Sequence, residues 1–205
     1  MKRHSDWETA LQSYQYWIFD LDGTLTLPIY DFPAIKRKLG LPTDRGILEV
    51  LDEMAPDQAR PIAARLESIE ADYAGLAKPS PGAGDLLRKL RTCGCRLGIL
   101  TRNKKAHALV TLEVIGLTGI FDSADIIGRD EAPPKPDPAG LLDLLSRWQA
   151  PRAKAIFVGD NIYDMRTGRA AGVPTVLLAS EQAGPDACGA DYRVGSLTEL
   201  ARTLR

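Results

Sequence analysis

The chain has 205 residues, 26% of them charged and 44% hydrophobic, with a formal net charge of -1 and a pI of about 6.1. This is the balance of a soluble globular protein with room for one sizeable core, or a core and a small satellite. There is no charge excess for a polyanion and no apolar run of the roughly 18–20 residues that span a bilayer, so neither nucleic acid nor membrane is an expected partner.

The N-terminal stretch MKRHSDWETALQSYQYW carries basic groups but no apolar segment, so no secretory signal is read there and a cytoplasmic location is expected. Ser5 and Glu8 have the spacing of a capping box and predict a short helix. Tyr16–Asp20 is an apolar run that closes on an acid, and a second acid, Asp22, follows before Gly23 and Thr24. Two carboxylates so close at the end of a buried strand repel one another. A cation or a reaction has to account for them.

A strand–helix–strand unit takes ~30 residues, yet the next apolar run, Arg96–Thr101, starts 76 positions beyond Asp20. The segment Gly82–Cys93, with Leu86, Leu87 and Leu90 on one face, supplies the crossover helix. Residues 27–80 therefore read as an insertion, helical in three pieces, the last starting or bending near Pro61. Because it leaves from the acidic turn, it is expected to lie over the strand ends as a lid. Strands at Ala124–Ile127, Ala155–Gly159, Thr175–Leu178 and Tyr192–Val194 then alternate with helical patterns, and Ser196 with Glu199 predicts a last capped helix. The expectation is an α/β protein: a doubly wound, Rossmann-like parallel-sheet core from 1–26 and 81–205, and a small α-helical cap from 27–80.

Cys93, Cys95 and Cys188 cannot all pair, and Cys-Gly-Cys without a second Cys/His pair is a poor zinc pattern, so ordinary thiols are expected. His4 and His107 read as surface or helix-face residues, and Trp7, Trp17 and Trp148 as packing.

Ligands of open parallel sheets bind outside the carboxyl ends of the strands. There the sequence supplies Asp20, Asp22 and Thr24, then Thr101-Arg102-Asn103, then Lys135 in PPKPDP, then Asp160 and Asp164 in FVGDNIYD. A single acid after a strand is commonly a helix cap or a solvated turn. Four consecutive strands leading to compatible polar groups point to a site. Four carboxylates around one lysine call for a hard divalent cation, and oxygen ligands with near-octahedral demands suit Mg²⁺. A carboxylate beside that cation can attack a phosphoryl group, with Thr101, Lys135 and the backbone N–H groups of the Gly23 turn carrying the negative oxygens.

The order Asp20-Leu-Asp-Gly-Thr-Leu-Thr, Thr101, Lys135 and Gly159-Asp160-Asn-Ile-Tyr-Asp164 resembles the haloacid dehalogenase-like hydrolase superfamily, along nearly the whole chain. The insertion after the first motif is similar to the helical cap of its phosphoglycolate phosphatase-like branch. The resemblance implies that Asp20 becomes an aspartyl-phosphate and that Asp22 acts as acid towards the leaving oxygen, then as base towards water. It implies Thr101 and Lys135 on the phosphoryl oxygens, and Mg²⁺ held by Asp20, the Asp22 carbonyl and Asp160, with Asp164 direct or through water. The substrate implied is a small phosphorylated metabolite, phosphoglycolate by branch. Where that branch often continues its first motif with Asp-Ser, this chain has Leu27-Pro28-Ile29-Tyr30; Arg102 stands where a smaller or amide residue is common.

A dehalogenase has no use for Asp22, since a halide leaves without a proton. A phosphosugar mutase shares the aspartates, and a non-enzymatic phospho-receiver module shares acids, Thr and Lys but leaves no room for a cap. Among substrate contacts, Gly23, Thr24, Arg102 and Asn103 are expected from the core and Arg45 from the insertion, with Arg102 also placed to meet a second anionic group. Lys36, Arg37 and Arg65 read as solvated helix charges.

Overall fold

The computed structural model describes residues 10–179 and 189–204. The expected helix at Ser5–Glu8, His4, Trp7 and Cys188 lie outside them. Six strands form one wholly parallel sheet: β1 Tyr16–Phe19, β2 Arg96–Leu100, β3 Ile126–Ile127, β4 Ala155–Gly159, β5 Thr175–Leu178 and β6 Tyr192–Val194. Their order is β3-β2-β1-β4-β5-β6, so β1 lies in the middle and the chain reverses direction of build on either side of it. Five of the strands lie within one residue of the bounds read from the sequence, whereas the run read as Ala124–Ile127 is a strand only at Ile126–Ile127, because Ser123–Asp125 form a 3-10 turn capped by Asp122.

Alternation along β1 shows why both faces are covered. Trp17 and Phe19 point into one apolar cluster with Leu86, Leu87 and Leu90, whereas Ile18 points into the other with Leu141, Leu144 and Trp148. β4 divides likewise, Ile156 and Val158 against Phe157. A strand apolar at every position is what a sheet buried on two sides requires. The covering helices are α4 Ala83–Thr92, α5 Lys105–Val114, α6 Ala139–Trp148, α7 Ile162–Ala171 and α8 Leu197–Thr203. No described helix is long and apolar enough to cross a membrane.

Between β1 and α4 come three more helices, α1 Phe32–Leu39, α2 Ile47–Glu53 and α3 Pro56–Leu76. They bury a cluster of their own, built from Ile35, Leu39, Ile47, Val50, Leu66 and Ile69. Asp31 caps α1 through the backbone N–H of Ala34 (2.9 Å), and Gly40 closes it at φ +72. α3 runs from Pro56 at its first turn straight through Pro61, which therefore neither starts the helix nor ends it. The exposed Pro61 sits near the N-terminus, and burial of Leu66 and Ile69 beyond it outweighs the one lost backbone bond. The segments entering and leaving these helices pair with each other: Leu27 N–H donates to the Lys78 carbonyl and Ser80 N–H to the Leu25 carbonyl, both at 2.9 Å. Two adjacent crossings join the helical unit to the sheet.

Candidate active site

Gly23 decides the shape of the turn after β1. It sits at φ +88, and a Cβ there would lie 2.3 Å from Asp160 Oδ2, so no other residue allows Asp160 so close. Gly159 does the same for Asp164, whose Cγ lies 2.3 Å from where a Cβ would stand. Thr24 turns inward, wholly buried, and its hydroxyl donates to Asp160 Oδ1 (3.4 Å). It was expected to face the substrate; it supports Asp160 instead. Gly23 N–H, expected to meet phosphoryl oxygens, points to Thr26 Oγ1 (3.3 Å).

Lys135 is the hub of the site. At 3% exposure its Nζ donates to Asp20 Oδ1 and Asp164 Oδ1, both at 2.6 Å. Asp164 also closes a capping box at the start of α7: Asn161 N–H donates to its other oxygen at 3.0 Å. Asp164 thus closes the helix cap with one oxygen and faces Lys135 and the cavity with the other. Carboxylate oxygens of Asp20, Asp160 and Asp164 all lie within 4.8 Å of one another, a spacing that one cation can bridge.

Their electrostatics agree with that reading. Burial raises the carboxyl of Asp20 well above its ordinary range, and Asp160 and Asp22 push it further, against the pull of Lys135. Asp160 is raised by burial and by Asp164, and Asp164 is pushed up to about 6 by burial and Asp20, against Lys135. Burial alone would lower Lys135, but Asp164 and Asp20 outweigh it and hold the ammonium charged. Three acids with raised folded values bind protons more tightly folded than unfolded. Their contribution to stability is present below the unfolded value of 3.8 and is lost as pH climbs through the folded values. Without divalent cation, the melting temperature is expected to fall by at least about 3 °C between pH 4 and 6.5, roughly 1 kcal/mol for a chain of this size. Added Mg²⁺ should cancel most of that fall. A cation-free melting curve that is flat or rising over this range would show that the acids are not strained by one another.

Asp22 lines the same space. Its Oδ2 accepts from Asn103 Nδ2 (3.1 Å), which also donates to the Tyr30 hydroxyl (2.9 Å). Burial raises the Asp22 carboxyl, and the Asn103 hydrogen bond lowers it in part. Tyr30 is stacked on Tyr73 of α3, ring centroids 4.6 Å apart. Thr101 is 2% exposed, and its Oγ1 accepts from Asn103 N–H (3.0 Å).

These groups line one cavity of about 370 Å³ between the sheet end and the inserted helices. Asp20, Asp22, Gly23, Thr101, Arg102, Asn103, Lys135, Asp160 and Asp164 all reach it, and so does Arg45, which is exposed and paired with Glu53. Two acids from the insertion had no signal in the sequence. Glu49 of α2 places both oxygens on Arg102 Nη2 (2.8 and 2.9 Å), and Glu70 of α3 grips Arg129 (2.7 and 2.6 Å). Acids on amphipathic helices ordinarily face water, so only the packing of α2 and α3 on the core reveals them.

The family model for haloacid dehalogenase-like hydrolases matches residues 30–172. A hydrolase of Saccharomyces cerevisiae is 35% identical over 173 residues, spanning 82% of this chain and 78% of its own. A phosphoglycolate phosphatase of Rhodospirillum rubrum is also 35% identical, over 193 residues that cover 79% of this chain and 78% of the relative. In fold, a hydrolase of Pseudomonas syringae aligns with a TM-score of 0.76 at 23% identity, across 92% of this chain and 96% of that one. Acids and a lysine gathered where the parallel strands end, under a matching family and matching relatives, leave one assignment. The chain belongs to the haloacid dehalogenase-like hydrolases, in their phosphoglycolate phosphatase-like branch, and is a phosphoric monoester hydrolase.

Proposed function

We propose that the protein hydrolyses a small phosphomonoester in two steps, through an aspartyl-phosphate on Asp20, with Mg²⁺ bound by the acids beneath it. The observation that carries this reading is the placement of Asp20 between two different partners. Lys135 fixes its Oδ1, so the direction of the other carboxylate oxygen is set, while Asp22 lines the same cavity with a carboxyl raised by burial.

In the first step an Asp20 oxygen attacks phosphorus and the ester O–P bond breaks. Asp22, protonated, gives its proton to the departing alkoxide, so a neutral alcohol leaves. In the second, Asp22 takes a proton from water, whose oxygen attacks phosphorus, and inorganic phosphate leaves as the Asp20 carboxylate is restored. The Thr101 hydroxyl and the Lys135 ammonium, both at the cavity wall, would carry the non-reacting phosphoryl oxygens. Asn103 holds Asp22 in line.

The donor set fits a hard cation: three oxygens of Asp20, Asp160 and Asp164 converge, and burial with mutual repulsion leaves them under-compensated by Lys135 alone. Bound there, Mg²⁺ would neutralise the acids and draw charge from the phosphoryl oxygens. Asp20, Asp160, Asp164 and the Asp22 carbonyl are the groups proposed to hold it.

Residues 27–80 are proposed as a cap that closes over the reaction, because Tyr30 and Glu49 reach from it to Asn103 and Arg102 at the cavity, and Glu70 pairs with Arg129 of the core. The test is phosphate release from a panel of phosphorylated metabolites. Turnover is expected with Mg²⁺, to fall at least about a hundredfold with chelator, and to be poorly supported by Ca²⁺, whose larger shell can take both Asp20 oxygens and blunt attack. Full activity in cation-free protein defeats the metal assignment. Transfer of phosphate to a sugar instead of water would identify a mutase.

A further inference from the structure

The cations around the cavity are nearly all engaged by groups that stay with them. Lys135 serves Asp20 and Asp164, Lys36 donates to the Thr43 carbonyl (3.0 Å), and Arg45 pairs with Glu53 on the outside. Arg102 differs, because its partner Glu49 belongs to the inserted helices and both side chains remain partly exposed, at 22% and 36%.

Resting on the phosphatase reading of the same site, we propose that Arg102 recognises a carboxylate on a short leaving alcohol, and that Glu49 holds that position until the ester arrives. Two contacts fix the guanidinium independently of Glu49, and a third ties down the backbone that carries it. Its Nη1 donates to the Lys135 carbonyl and its Cζ lies 4.2 Å from the ring centroid of Tyr163, while the Arg102 backbone carbonyl accepts from Arg129 Nη1 (3.2 Å). A guanidinium already held loses little freedom when a ligand binds it, which is what a recognition residue requires.

The distance is set by Lys135. Its carbonyl holds Arg102 and its Nζ holds Asp20, so guanidinium and nucleophile stand one lysine apart. An ester whose phosphoryl group lies at Asp20 brings a carboxylate to Arg102 only if the spacer is short. Glu49 shows that a carboxylate fits there, with both oxygens on Nη2. Exchange of one carboxylate for another leaves the local charge count unchanged and returns Glu49 to water. The incoming group is tethered to a bound phosphoryl group, so its local concentration is high. Esters lacking the carboxylate leave Arg102 with Glu49 and gain nothing from it.

Phosphoglycolate and ethyl phosphate test this, because they differ by a carboxylate in place of a methyl group. Their intrinsic reactivities differ in the same way for every variant, so the readout is the change in the ratio of their kcat/KM values. Arg102→Gln is expected to lower the phosphoglycolate-to-ethyl phosphate ratio about tenfold or more, the scale of one hydrogen-bonded charge pair. Glu49→Gln is expected to raise it roughly three- to tenfold, since an amide competes poorly for a guanidinium. If Arg102→Gln lowers both esters by one factor, Arg102 only holds its loop and the proposal fails while the phosphatase reading stands. If Glu49→Gln lowers the ratio, Glu49 is a latch that the substrate needs, and the exchange is wrong. If the parent hydrolyses neither these esters nor any other, the phosphatase reading itself falls.

Discussion

Asp20→Asn is expected to remove turnover of every phosphomonoester by roughly four orders of magnitude or more, because an amide neither attacks phosphorus nor forms the acyl phosphate. The same change should not unfold the protein. Asp20 is buried among Asp22, Asp160 and Asp164 with Lys135 as the cation in contact with it, and burial with like charge raises its carboxyl. An amide of the same shape removes one of the repelling charges, and Lys135 keeps Asp164 at 2.6 Å. In chelator the variant should therefore melt no lower than the parent, the trade expected where function maintains strain. Two measurements decide it, a thermal melt without cation and single-turnover phosphate release. A variant that melts several degrees lower would make loss of activity a structural effect, and one that retains more than about a hundredth of parent turnover would move the nucleophile elsewhere.

Much of the core was legible because its physics is local. Tyr16–Phe19 and Ala155–Gly159 are apolar at every position, and only a two-sided parallel sheet buries such runs. Once the strands were read, the rule that ligands sit beyond their carboxyl ends gathered Asp20, Asp22, Thr101, Lys135, Asp160 and Asp164, which the structure brings to one cavity. Side-chain direction was not legible. Thr24 stands two positions from Asp22 but turns inward because Gly23, at φ +88, swings the backbone before it. The insertion reads as helices, and Arg45 does line the cavity, yet nothing in the pattern points to Glu49 or Glu70. Periodicity tells which face of a helix is apolar, and says nothing of which polar residue at its margin meets another element. Glu49, Glu70 and Tyr30 owe their partners to how α1, α2 and α3 settle on the sheet. Tyr30 lay in the segment where the sequence departs from the family's first motif, and that departure was the one available sign of it.

The second large effect concerns the proton given to the leaving group. Asp22→Asn is expected to lower turnover of an alkyl phosphate by about 10²–10⁴, the range for loss of a positioned general acid. With p-nitrophenyl phosphate the first step should survive much better, because that phenolate leaves without a proton. The second step still needs a base for water and should be slow with either ester. The variant is therefore expected to release a rapid burst of p-nitrophenolate of about one equivalent per enzyme, followed by slow turnover. Asn103→Ala should give a weaker form of the pattern. Asn103 Nδ2 is bonded to Asp22 Oδ2 at 3.1 Å and to the Tyr30 hydroxyl at 2.9 Å, so it sets where the acid points. Its loss should cost alkyl esters about tenfold more than p-nitrophenyl phosphate, and Tyr30→Phe should cost less than Asn103→Ala. A residue that only supported the fold would lower both esters alike. Equal losses for the two esters in Asp22→Asn, with no burst, would take the proton away from Asp22, and the source would have to be sought among the other groups lining the cavity.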